Sequence, residues 1–129
     1  MAIVRLPLSG EDIKSTANNT EVPIFGITID ANTSGFLNYN VVCQRLSDKA
    51  TKSWSIGAGF KKVGSAAPVI VSELLGSILG TTGDKLDLIL ATATFSTDAD
   101  NIYFNVKGLN SNMIWYARAD GYQVLDNGA

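Results

Sequence analysis

The chain has 129 residues, 46% of them hydrophobic and 17% charged, enough for one domain that buries about two thirds of its unfolded surface. Its net charge of −2 offers no basic face for nucleic acid. With no histidine and a single cysteine, it excludes Ser-His-Asp and Cys-His catalysis, imidazole metal sites, an internal disulfide and a cysteine-based zinc site.

No apolar run approaches the length of about 18 residues that spans a membrane, and Met1 to Gly10 lacks the charged and apolar regions of a signal peptide. The expected product is made in a cytoplasm and has no membrane partner. Uncharged polar residues and 12 glycines fill much of the remaining surface, which suits a protein that lives outside cells or coats another surface.

In chain order, the apolar segment Ile3-Val4-Arg5-Leu6-Pro7-Leu8 leads into the loop-like Ser15-Thr16-Ala17-Asn18-Asn19-Thr20. Residues 1–20 are expected to be an extended N-terminal arm that leaves the body or docks on a neighbour, because its polar half buries little. Residues 21–129 are expected to be a single β-sandwich domain. Glu21 to Asp30 alternates Phe25, Ile27 and Ile29, with Pro23 near the start of the strand. Ala31 to Gly35 is a turn by composition. The next strand runs from Phe36 to about Leu46, with Leu37, Tyr39, Val41 and Cys43 on one face and Cys43 as a buried, inert thiol.

Ser53 to Phe60 alternates most cleanly, with Trp54, Ile56, Ala58 and Phe60 on one side and Gly57 and Gly59 on the other. Two outward glycines fit a bulge or a tight subunit contact, and the bulge is the simpler reading. Lys61-Lys62 reads as a solvated strand end. Pro68 to Leu75 is apolar on both faces. Glu73 to Leu79 reads as a short helical turn or as more strand, with Gly76 against a long helix. After the turn Thr81 to Asp84, Leu86, Leu88 and Leu90 open a long strand toward Phe95.

Ile102, Phe104 and Val106 then alternate, Gly108 to Asn112 breaks the pattern, and Met113, Trp115, Ala117 and Ala119 resume it. That reads as a hairpin joined by a Gly/Asn turn. Tyr122, Val124 and Leu125 close as a short last strand. Eight or nine strands without a convincing helix predict an all-β antiparallel sandwich or jelly roll. The predicted core includes Trp54, Ile56, Phe60, Phe104, Met113 and Trp115. Tyr103, Ile114 and Tyr116 fall on the opposite register and need cover from a second sheet or a partner.

Little here is equipped for chemistry. Asp84/Asp87 and Asp98/Asp100 are close acid clusters, and both lie in or beside turns where Asp serves the backbone. Asp98, Asp100 and Asn101 offer oxygen ligands for calcium, but no Asp-x-Asp-x-Asp-Gly loop with a closing Glu surrounds them. No cofactor is expected. A cellular carbohydrate-binding module would need exposed coplanar aromatics, whereas Trp54 and Trp115 fall on inward registers.

From about Val42 to Leu125 the chain resembles a small β-domain common in tailed-bacteriophage virion proteins. The matching residues are Trp54-Ser55-Ile56-Gly57-Ala58-Gly59-Phe60-Lys61-Lys62, then Val63-Gly64 leading to Val69-Ile70-Val71. Ile102 to Gly108 and Met113-Ile114-Trp115-Tyr116-Ala117 complete the pattern. Arg5-Leu6-Pro7-Leu8-Ser9-Gly10 is similar to the start of short phage head-surface proteins. The chain departs from the pattern in a long Ala91 to Asp100 segment and in Leu86, where an aromatic is more usual.

In that family such domains form trimeric fibre tips and capsid-surface proteins. The resemblance therefore implies a structural, non-enzymatic virion protein, assembled in the host cytoplasm and displayed on the virion surface. A capsid decoration (cement) protein on the head is favoured by the start at Met1 and the lack of any fibrous shaft. The alternative is a short tail-fibre or fibre-tip protein that binds a host glycan or receptor. Expected partners are other copies of the chain, as a homo-oligomer and first of all a trimer, and the major capsid protein or other virion proteins. Interface candidates are Tyr103, Ile114 and Tyr116 together with Ile3, Val4 and Leu6 of the arm.

Overall fold

A computed structural model describes residues 3–82 and 90–126, with side chains described for residues 5–71 and 90–125. The strands in chain order are β1 (Ile3–Thr16), β2 (Glu21–Thr28), β3 (Thr33–Arg45), β4 (Thr51–Lys62), β5 (Val69–Thr82), β6 (Thr92–Asp98), β7 (Asn101–Lys107) and β8 (Met113–Asp126). They form two antiparallel sheets, a five-stranded one in the order β1-β8-β3-β4-β5 and a three-stranded one in the order β2-β7-β6. Packed together these make a sandwich-like, all-β fold with no α-helix among the described residues.

The core lies between the two inner faces, and period-2 patterning builds both of them. The larger sheet contributes Leu37, Tyr39, Val41, Trp54, Ile56, Phe60, Met113 and Trp115, and the smaller one Ile24, Ile27, Ile102, Phe104 and Val106. Trp54, Ile56, Phe60, Phe104, Met113 and Trp115, all predicted as core, are buried. The two indoles stack across β3 with centroids 5.8 Å apart, and Trp115 Nε1 donates to Thr16 Oγ1 at 2.9 Å. Phe104 is the hub joining the sheets, stacked on Phe25 at 4.7 Å and edge-on to Tyr39 at 5.0 Å. The Tyr39 hydroxyl donates to the Asn105 carbonyl at 3.1 Å, so the one polar atom of that ring is satisfied.

The first correction concerns residues 1–20. Residues 3–16 are not a detached arm, because β1 pairs with β8 along its whole length, from Ile3↔Asp126 to Thr16↔Met113. Two turns of composition misled: the apolar start reads as sticky and the polar end as loop. An edge strand needs only one buried side, however, and Leu8 supplies it by packing against the core while the ladder satisfies the backbone. Gly10 fits the same edge, since a Cβ there would meet the Phe25 ring at 2.9 Å.

The second correction concerns the expected C-terminal hairpin. β7 pairs with β2 and β6, whereas β8 pairs with β1 and β3. Residues 108–112 therefore cross from one sheet to the other. Alternation identifies an inward face but not which sheet owns it. The true hairpin is β6–β7, closed by Ala99 and Asp100, with Ala99 in the left-handed region at φ 38°. Tyr122 to Leu125 likewise belong to β8 and are not a separate strand.

Glu73 to Leu79 continues as strand inside β5, against the helical-turn alternative. The β4–β5 pairing shifts register at Ser53/Trp54, Ser55/Ile56 and Gly59/Phe60, so bulges accompany the small outward residues of β4. Lys62 is not a solvated strand end. It sits on the inward register of β4, and its ammonium reaches the Ala66 carbonyl at 2.7 Å and Asp100 Oδ1 at 3.1 Å. Lys52 closes the other end of that strand, donating to the Ala91 carbonyl at 3.1 Å; burial lowers its pKa from the usual lysine value. The segment from Leu86 and Leu88, expected to open a long strand, and Asp84 and Asp87 lie outside the described residues. β6 itself begins at Thr92.

Candidate interaction surface

The two sheets each turn one face to solvent, and the larger exposes a continuous apolar region. Antiparallel pairing sets opposite residues side by side on one face. On the outer face of the five-stranded sheet this aligns Ile13, Tyr116 and Val42 in a row across β1, β8 and β3, with Ile114 beside them. A second row aligns Pro7, Tyr122 and Phe36. Ile13 is 63% exposed, Tyr116 41% and Ile114 40%, and Phe36, Val42 and Tyr122 are exposed too.

Between the apolar rows runs a polar one built from Glu11, Arg118, Asp120, Asn38 and Asn40. The Tyr116 hydroxyl donates to Glu11 Oε2 at 2.6 Å. That carboxylate bond is the main cause that raises the tyrosine pKa above its ordinary value. Arg118 Nε bonds Asp120 Oδ2 at 2.8 Å, and the same contact holds its guanidinium above the usual value. Arg5 lies over the Tyr122 ring, 5.3 Å from the centroid. The charges on this face are thus paired locally while the apolar groups are not.

Two shallow depressions flank Tyr116. One of about 170 Å³ is lined by Ile13, Val42, Ile114 and Tyr116 together with Cys43, Gln44 and Trp115. The other, of about 270 Å³, lies between Tyr116, Arg118, Asn40, Val42 and Ser53. Both have the size for an apolar side chain rather than for a whole small-molecule ligand.

The structure separates the interface residues expected from sequence. Ile114 and Tyr116 share the face just described. Tyr103 stands on the outer face of the three-stranded sheet, against Gly26, where a Cβ would meet its ring at 2.8 Å. The three do not form one patch, because the supposed hairpin is two strands of different sheets. Leu6 is half-buried on the inner register of β1, opposite Gln123. The side chains of Ile3 and Val4 lie outside the described residues.

Ile13, Val42, Phe36 and Tyr122 were not expected here. Phe36 and Val42 could have been found, since both are apolar on the register opposite Leu37 to Cys43. Ile13 was hidden by the reading of its segment as an arm.

The remaining candidates do not assemble a chemical site. Asp100 faces the Lys62 ammonium, and Asn101 Oδ1 accepts from Thr28 Oγ1 at 2.9 Å. Among the described residues no three His, Cys, Asp or Glu side chains gather as metal ligands. Cys43 is buried, and burial pushes its thiol up to about 11.

No protein-family model matches the chain, and no curated protein matches it either. Among solved structures it is similar to the tailspike protein of Acinetobacter baumannii phage AM24, with TM-score 0.39 and 8% sequence identity. The alignment covers 94% of this chain and 27% of that one, so the chain spans about a quarter of the tailspike's length.

Proposed function

We propose that this chain is a structural, non-enzymatic bacteriophage virion protein, a capsid decoration protein bound on the head surface. The observation that carries the reading is the outer face of the five-stranded sheet. There Ile13, Val42, Ile114 and Tyr116 form an apolar region that the described residues leave without cover. Such a face on a rigid sandwich suits a building block held by neighbours. The sequence resemblance from Val42 to Leu125 supplies the phage context. In this reading the partners are further copies of the chain and the major capsid protein, with Tyr116 and Ile114 as anchors.

A second reading, a fibre tip that binds a host glycan, draws on the same face. Phe36 and Tyr122 stand exposed beside the amides of Asn38 and Asn40 and beside Arg5. Aromatic rings next to amides suit a sugar's apolar face and hydroxyls.

Immunogold labelling of intact phage particles with antibody to this protein tests both. Label over the heads is expected. Label confined to the tail tip would favour the fibre reading, and unlabelled particles in a lysate that contains the protein would overturn the virion assignment.

A further inference from the structure

β1 ends the five-stranded sheet, so its outer edge carries backbone groups that no described strand takes. Ile13 shows which groups these are. Its N–H is directed away from β8 and donates to Oδ1 of its neighbour Asp12 at 2.8 Å. Pro7, which has no N–H, belongs to the same alternate set, and an outward edge position is where a strand tolerates proline. Arg5, Ser9, Glu11, Ile13 and Ser15 therefore present the free edge. Glu11, Asp12, Ile13 and Ser15 are all exposed.

We propose that two copies of the chain join through this edge, β1 against β1, antiparallel about a two-fold axis at Ile13. This inference goes beyond the virion reading and stands without it. Pairing identical strands about Ile13 sets Ile13 opposite the partner subunit's Ile13, and Glu11 opposite the partner subunit's Ser15. These are members of the outward-facing set, as a hydrogen-bonded pair of an antiparallel ladder requires. Asp12 then lies opposite the partner subunit's Lys14, and Lys14 opposite the partner subunit's Asp12, so two opposite-charge pairs form at once.

Charge selects this register over its neighbours. Sliding the strands to centre the axis on Asp12, on Lys14 or on Glu11 places like charges face to face, which is destabilising. The Asp12 carboxylate, now holding the Ile13 N–H, would exchange that bond for the partner's ammonium, while the N–H pairs with the partner's carbonyl. Because the axis stands perpendicular to the sheet, the outer faces of the two copies merge. The row Ile13, Tyr116, Val42 then continues into the partner's row as one apolar stripe over six strands. The exposed Ile13 gains its cover at the centre of an isologous contact.

The test combines sedimentation equilibrium of the full chain with a charge exchange. The native protein should form dimers. Asp12→Lys alone, or Lys14→Asp alone, should weaken association by about tenfold or more, because each puts two like-charge pairs in the contact. Asp12→Lys combined with Lys14→Asp should restore it. Hydrogen exchange on the native protein needs no variant: the Ile13 and Ser15 amides should slow as concentration rises through the dimerisation range. A native protein that stays monomeric, a trimer indifferent to either single change, or edge amides whose exchange ignores concentration would each overturn the proposal.

Discussion

The two outer faces of this sandwich are made from the same strand pattern but are finished differently. On the three-stranded sheet the outward side chains bond one another. Thr94 Oγ1 reaches Glu21 Oε1 at 2.6 Å, Thr28 Oγ1 reaches Asn101 Oδ1 at 2.9 Å, and Asn105 Nδ2 reaches Ser96 Oγ at 2.9 Å. Its one large ring, Tyr103, lies down over Gly26. Among the described residues of the five-stranded sheet only the central polar row is paired in this way, and the apolar rows on either side stay open. A face whose polar groups satisfy one another is complete in water. One that leaves isoleucine and tyrosine standing in water gains free energy when something covers it.

The comparison presupposes a core that holds the faces apart, and the largest effect is expected there. Trp115→Ala removes an indole stacked on Trp54 and bonded to Thr16. It should cost about 3–5 kcal/mol in urea unfolding, from lost burial and the cavity left behind. Gly121→Ala should also destabilise strongly, by a few kcal/mol, since the new Cβ would collide with the Phe36 carbonyl oxygen. A small change at either position would mean that β8 is not held as described.

Matched variants of the faces come next. Ile114→Asp combined with Tyr116→Asp should leave a folded protein but weaken association or head binding by about a hundredfold, the scale of losing two interface anchors. Tyr103→Asp, on the other face, should leave binding unchanged. Equal losses in both would abolish the distinction between the faces. For stability the order reverses. Asn105→Ala removes a buried side chain and its bond to Ser96 and should cost about 1 kcal/mol, whereas Val42→Thr should stay within about 0.5 kcal/mol, as exposed substitutions do. Thermal denaturation of the pair reads the difference.

How much of this was legible in the sequence follows from what alternation encodes. Side-chain period marks inward positions, and Trp54, Ile56, Phe60, Phe104, Met113 and Trp115 were all read from it. It says nothing of partners across the ladder, so the Gly108 to Asn112 link was taken as a hairpin turn although it crosses between sheets. Tyr103 was grouped with Tyr116 for the same reason. β1 was missed because its inner side carries few apolar groups beyond Leu6 and Leu8. What fixes it is fourteen residues of pairing with β8, a property of two distant segments that neither shows alone. Lys62 was misread because a lysine at a strand end usually extends into water. Here the inward register brings the ammonium to Ala66 in the link between β4 and β5 and to Ala99 and Asp100 in the β6–β7 turn, which serve as acceptors.

An effect seen only at alkaline pH concerns Cys43, whose residue forms part of the floor beneath Ile13, Ile114 and Tyr116. Burial raises its thiol pKa to about 11, so the folded chain holds the proton where an unfolded chain releases it. The folded form thus binds more protons between the ordinary thiol value and about 11. Its stability should fall as pH rises through that window and be unaffected by this group below it. A loss of about 1–2 kcal/mol is expected across the window, and the slope should be shallower in Cys43→Ala, measured by urea unfolding from neutral to alkaline pH. Thiol alkylation provides the matching kinetic reading. At neutral pH the thiol should react only as fast as the sheet opens, because attack needs the exposed thiolate. Rapid alkylation of the folded protein would show that the floor of the five-stranded face opens on its own, and that this face differs from the other in rigidity as well as in chemistry.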